Sequence, residues 1–337
     1  MSTKATFSDA AGAALDGTCA ARRWPATFWL GLAVIAACEA LLFADVWLTA
    51  RGAMHTQQAI DAFEAAHPPR TFLAGAARWM AHNMTAVVWV GYILLLEGVL
   101  ARQRPPGPVR RRPHHFALLC LASVVIWCVF DWINFYSIRA WRYIGMPPSF
   151  IARLVGYMVA FAAIVPGMLM SGQVLLNAGA FDWARSRPWR MPWWGPVLSL
   201  AAGAAMLAWP VLHAAPVATL TLWTSLVFLL DPLNYWLGRP SMLRDWSAGW
   251  YGRTLAAFAG GLVCGLLWEF WNYWALTKWT YSLPFLGNLE SIRYFEMPLI
   301  GLIGFIPFGI ECWVMWQTMR IPLDGLAEPL PDERSLL

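Results

Sequence analysis

Charge is scarce in this chain, and lysine is almost missing. Of its 337 residues 13% are Asp, Glu, Lys or Arg, about half the share in soluble domains, and of the 24 basic residues only Lys4 and Lys278 are lysine. Apolar residues make up 59%, and mean hydropathy is +0.51. That much apolar surface excludes both a disordered chain and a fold that lives in water. Paired cysteines are missing too: Cys19, Cys38, Cys120, Cys128, Cys264 and Cys312 stand singly, which leaves neither a disulfide framework nor a zinc site. The six histidines show no ligand spacing, so no metal is expected. The formal net charge of +5 does not make a nucleic-acid surface, because the arginines fall in short breaks between apolar runs. Arginine there reads as orientation signal and headgroup contact.

What the chain does have is long apolar runs. A hydrocarbon core about 30 Å thick takes about 20 helical residues, and runs of that order lie near 26–49, 79–100, 116–136, 151–176, 193–212, 216–237, 254–276 and 295–319. The first is longer than the apolar core of a cleavable signal, about 7–15 residues, and reads as a retained span. The pattern predicts an all-α, polytopic membrane protein of about eight spans: a tail over 1–25, a four-helix repeat over 26–177, a linker over 178–192, a second repeat over 193–319 and a tail over 320–337. Eight spans place both termini on one side. That side gathers 16 of the Lys and Arg residues against 8 on the other, with Arg102, Arg104, Arg110, Arg111 and Arg112 the strongest cluster. Both termini are therefore expected in the cytoplasm, and the protein in a cytoplasmic membrane. The loop over 49–78, with Ile60, Phe63 and Pro68-Pro69, has the pattern of a short interfacial helix or lid.

The chain repeats itself. Phe130-Asp131-Trp132-Ile133-Asn134-Phe135-Tyr136 is answered in the second half by Trp268-Glu269-Phe270-Trp271-Asn272-Tyr273-Trp274, and Trp141-Arg142-Tyr143 by Trp279-Thr280-Tyr281 at the same offset. Leu95-Leu96-Glu97 similarly resembles Leu229-Leu230-Asp231, and Pro166 and Pro307 hold similar places in the fourth and eighth runs. A four-helix unit duplicated in tandem gives two parallel halves about an axis near the membrane normal, with a site between them.

Ionisable groups inside spans are unfavourable unless paired or wet, so each is a functional candidate. Asp131, Glu269 and Glu296 fall toward the outer ends of their runs, as do Asp45 and His82. Glu97, Asp231 and Glu311 fall toward the inner ends, and Glu39 near the middle. Three carboxylates have an amide three residues on, Asp131 with Asn134, Asp231 with Asn234 and Glu269 with Asn272, which puts acid and amide on one helix face. The amide is expected to hold the carboxyl through a proton transfer, and an acid in apolar surroundings is able to protonate a substrate. Glu311, Glu97, Asp231 and Asn234 are expected to form a proton path from the inner side. Trp268, Trp271 and Trp274, at three-residue spacing beside Glu269, are expected to form an aromatic wall able to stabilise a carbocation. Trp279, Tyr281, Trp141 and Tyr143 are expected to join it in binding substrate.

A span ending in Trp-acid, followed by Trp-x-Tyr and then by an acid opening a span that carries Pro, resembles the membrane-embedded lycopene cyclase type of carotenoid cyclases. The resemblance rests on Trp268-Glu269, Trp279-Thr280-Tyr281, Glu296 and Pro307, and it implies two related helical halves with Glu296 as proton donor to a polyene end group. The family's Pro-x-Glu-Glu-x-x-Phe-Phe run is absent, and Pro298 follows Glu296 rather than preceding it.

These residues predict a membrane enzyme, cofactor-independent, that binds an isoprenoid or carotenoid-like lipid and acts on it by cyclase- or isomerase-type acid–base chemistry. A proton-coupled transporter of a small molecule or lipid, and a non-catalytic subunit of a membrane complex, use the same features. The partners expected are the bilayer and its lipids, in a homo-oligomer or a larger membrane complex, and no nucleic acid.

Overall fold

The computed structural model describes residues 23–189, 191–323 and 335–337. Most of both expected tails, 1–22 and 324–334, and linker residue 190 lie outside the described residues. The protein is an all-α polytopic membrane protein. Among the described residues eight helices are long and apolar enough to cross a bilayer: Ala26–Thr49, Phe72–Gln103, Pro113–Ile138, Phe150–Asn177, Gly195–Leu212, Pro216–Trp236, Gly252–Tyr273 and Leu299–Met319. Their ends follow local chemistry. Thr71 Oγ1 accepts the Ala74 N–H and Ser149 Oγ that of Ala152, so the second and fourth spans open on hydroxyl caps. The eighth begins three residues after Glu296, because Met297–Pro298 (β4) pairs with Arg293–Tyr294 (β3) instead of joining the helix.

Packing follows the duplication. The first span lies along the second as the fifth lies along the sixth, and the second packs on the fourth as the sixth packs on the eighth. Even the close approaches match: a Cβ on Gly31 would meet the Leu95 backbone, and one on Gly203 would meet the backbone of Leu229, its counterpart in the second half. The seventh span crosses both the fourth and the eighth. Gly261 and Gly309 sit face to face there, with no room for a side chain on either.

Two short strands tie the halves together. Trp141–Ile144 (β1) pairs antiparallel with Lys278–Tyr281 (β2), in the register Trp141 to Tyr281, Arg142 to Thr280 and Tyr143 to Trp279. Each Trp-x-Tyr motif thus pairs with its own repeat, and the local two-fold passes through the Arg142–Thr280 pair. Alternation along a strand puts Trp141, Tyr143, Trp279 and Tyr281 on one face. The fourth and eighth spans are both broken near the proline expected there. Helices Phe150–Ala162 and Ile164–Asn177 meet just before Pro166, where Ser123 Oγ donates to Phe161 O and accepts the Val165 N–H. A 3₁₀ turn, Leu299–Gly304, precedes the helix Phe305–Met319 that carries Pro307.

Candidate functional site

Between the halves lies a cavity of about 560 Å³, in the range of small-molecule sites. Six tryptophans reach it, Trp89, Trp127, Trp141, Trp223, Trp268 and Trp279, drawn from both halves. The aromatic packing repeats across the local axis: Trp268 stands edge-on to Trp89 at 5.8 Å, and Phe130, its counterpart, stacks on Trp223 at 5.2 Å. Desolvated indole faces of this kind stabilise positive charge.

Behind the wall sit two hydrogen-bonded chains whose phenols and carboxyl groups are equivalent in the two halves and whose indoles, Trp127 and Trp279, are not. Trp127 Nε1 donates to Tyr143 Oη at 3.1 Å, and Tyr143 Oη donates to Asp131 Oδ1 at 2.9 Å. Trp279 Nε1 donates to Tyr281 Oη at 2.7 Å, and Tyr281 Oη donates to Glu269 Oε1 at 2.8 Å. Both phenols line the cavity; neither carboxylate does. Burial, and next the neighbouring carboxylate, hold both phenols well above the ordinary tyrosine range, so each stays a neutral hydroxyl. The carboxyl groups therefore reach the cavity through a tyrosine hydroxyl and, at Asp131, through the Trp141 indole N–H as well, which donates to Oδ1 at 2.9 Å; the spacing of the acids did not reveal these links.

The amides do other work than expected. Asn134 donates to Trp141 O at 2.8 Å and accepts the Ala140 and Trp141 N–H groups; Asn272 donates to Trp279 O at 2.9 Å and accepts the Trp279 N–H at 3.0 Å. They clamp β1 and β2 rather than the acids. A side chain one helical turn along from the acid reaches the returning strand, whose backbone has open positions, while the phenols occupy the carboxylates.

The aromatic wall is also built differently. Of the three tryptophans along the seventh span only Trp268 reaches the cavity. Trp271 packs edge-on to Trp89 at 5.3 Å and donates Nε1 to Glu39 at 3.1 Å, while Trp274 packs on Phe43 at 6.0 Å. A step of three residues falls short of a full helical turn, so three such rings drift off any one face.

Glu296 does not open the eighth span and does not line the cavity. It lies between β3 and β4, 3% exposed, ion-paired with Lys278 and 2.8 Å from His55 Nδ1. A carboxylate held by an ammonium is an anchor and a poor proton donor. Burial holds that ammonium below the ordinary lysine range, against the pull of Glu296.

The expected inner path is not connected. Glu97 accepts the Val109 N–H at 3.0 Å, and Asp231 accepts those of Met242 and Leu243 at 2.7 and 3.0 Å. Each caps the short helix in the loop after its own span, Pro108–Arg111 and Met242–Ser247. Asn234 donates to Val314 O, and Glu311 accepts the Leu226 N–H at 3.1 Å. None of these four lines the cavity.

The other end of the bundle is covered by helix Gln57–Ala66, which buries Ile60 and Phe63 as their spacing suggested. Asp45 is bonded by Arg51 and Arg78 at 2.7 and 2.8 Å beneath it. At the cavity mouth His82 Nε2 lies 2.6 Å from Glu64 Oε1, and Nδ1 lies 3.0 Å from Thr277 Oγ1, whose own proton goes to Gly145 O. His82 and Thr277 line the cavity; Glu64 ties the covering helix to them. No sequence pattern groups these three residues. Comparison with known protein families, curated proteins and solved structures finds no match to this chain.

Proposed function

We propose that this protein is a membrane enzyme that binds an isoprenoid or carotenoid-like lipid between its halves and moves protons on it by cyclase- or isomerase-type acid–base chemistry. The observation that carries the reading is the pairing of one aromatic cavity with two indole–phenol–carboxylate chains, one from each half.

The residues provide for the chemistry without a cofactor. One carboxyl, protonated, passes its proton to its tyrosine as that tyrosine gives its own to a double bond of the lipid. The carbocation is stabilised by the indole faces. When a C–H bond then breaks, its proton goes to the second tyrosine, whose own proton moves to the second carboxylate. Protons balance, the lipid is rearranged, and the two acids have exchanged roles. The resemblance to lycopene cyclases that remains, in Trp268-Glu269, Trp279-Thr280-Tyr281 and Pro307, fits the same class, with Tyr143 and Tyr281 facing the lipid in place of Glu296. A proton-coupled transporter needs polar groups running from one membrane face to the other. Glu97, Asp231 and Glu311 each bond backbone N–H groups and stand away from the cavity, which favours the enzyme. The arginine bias supports a cytoplasmic membrane with the termini inside.

The test uses liposomes in heavy water carrying lycopene or geranylgeraniol as probe. Turnover is expected to place deuterium on carbon in the product, and Glu269→Gln and Asp131→Asn to abolish it. Product free of deuterium, or full activity in both variants, would overturn the reading.

A further inference from the structure

The offset that relates Glu97 to Asp231 also relates Thr85 to Thr219 and Trp89 to Trp223. Each threonine stands one helical turn before a cavity tryptophan. Both threonines line the cavity, and the hydroxyl of each is buried with no hydrogen-bond partner among the described residues; Thr219 is 7% exposed. A helical threonine ordinarily returns its hydroxyl to a carbonyl three or four residues back. Thr221 does so, donating to Ala218 O at 2.9 Å, and Thr318 donates to Val314 O at 3.0 Å. At Thr85 the carbonyl one turn back, Ala81 O, already accepts the Leu276 N–H at 2.8 Å from the loop. A buried hydroxyl without a partner is unfavourable, and here the exception occurs twice, at equivalent positions, in one apolar wall. Neither hydroxyl helps to hold the fold.

We propose that Thr85 and Thr219 are hydrogen-bond partners for the bound lipid, so that the cavity takes an oxygen-bearing isoprenoid, an alcohol or a carbonyl compound, in preference to a hydrocarbon. The inference rests on the lipid-cavity reading above and narrows it. A hydrocarbon leaves both hydroxyls unmet, whereas a single lipid oxygen satisfies one of them. His82 at the mouth is less free to serve, since both its ring nitrogens already face Glu64 and Thr277.

The full chain in detergent micelles is titrated with all-trans-retinol and with its hydrocarbon analogue, methyl in place of hydroxymethyl, binding being read from quenching of tryptophan emission. The wild type is expected to bind the alcohol about tenfold more tightly, the worth of one hydrogen bond. Thr85→Val with Thr219→Val is expected to bind the two alike, with affinity for the hydrocarbon retained, which also shows that the variant is folded. Equal binding of both ligands to the wild type overturns the preference and leaves the cavity reading standing. A preference that survives in the double valine variant and disappears in His82→Gln overturns the assignment to threonine. Binding of neither ligand to the wild type overturns the cavity reading itself, and this inference with it.

Discussion

Replacing Asn272 by Leu should loosen β2 from the end of the seventh span and with it one side of the cavity. Asn272 is fully buried, and its side chain bonds both backbone groups of Trp279, at 2.9 and 3.0 Å. Leucine fills a similar volume but meets neither group, so the variant leaves a buried N–H and a buried C=O without partners. At about 1–3 kcal/mol each, the loss comes to about 2–6 kcal/mol. The assay is reversible denaturant unfolding in mixed micelles, followed by tryptophan emission, with Asn134→Leu as the matching substitution in the first half. If Asn272→Leu costs no more than an ordinary surface substitution, about 0.5 kcal/mol, the amide does not anchor the strand and the reasoning fails.

Glu269→Gln and Tyr281→Phe should leave the unfolding midpoint within a few degrees of the wild type while removing turnover; a folded, fully active Tyr281→Phe would show that the phenol is not on the proton route. Lys278→Met leaves the buried Glu296 carboxylate with His55 alone beside it and should cost about 3–5 kcal/mol, whereas Lys278→Met with Glu296→Gln should cost less than half as much; additive losses in a double-mutant cycle would contradict the pairing. Because burial holds the Lys278 ammonium below the ordinary lysine range, the folded chain releases at alkaline pH a proton that the unfolded chain keeps. Stability should therefore rise with pH across that window, and the rise should be missing from the double variant; an identical pH profile in the two proteins would refute it. Gly261→Ala should fail to accumulate as folded protein, since a Cβ there meets the Phe305 carbonyl and Gly309, while Gly75→Ala, with open space around it, should be neutral or stabilising.

Much of the architecture was legible because membrane spans are a matter of length and hydropathy, which a chain carries locally. The duplication was legible from the Asp131 and Glu269 motifs, and it pointed to β1 and β2 before either was known to be a strand. The partners of the acids were not legible. Asp131 and Asn134 share a helix face, but the strand that returns after them decides that Tyr143 takes the carboxylate and the Trp141 backbone takes the amide. Glu296 read as a proton donor because its partner, Lys278, stands at the far end of the preceding loop. Thr85, Thr219, Trp89 and Trp223 do carry a signal in the sequence, for they share the offset that relates Glu97 to Asp231. His82, Glu64 and Thr277 had none, since only the covering helix and the β2 loop bring them together.

An isoprenoid held in the aromatic cavity between the halves is what the proposed function requires. The direct measurement is photo-crosslinking of the purified protein with a diazirine-bearing geranylgeraniol, followed by peptide mass spectrometry with and without excess unlabelled geranylgeraniol. Competed labelling is expected on the peptides that carry Trp127, Trp141, Trp223, Trp268 and Trp279. Labelling confined to outward-facing residues such as Trp29 and Trp47, insensitive to competitor, would contradict it.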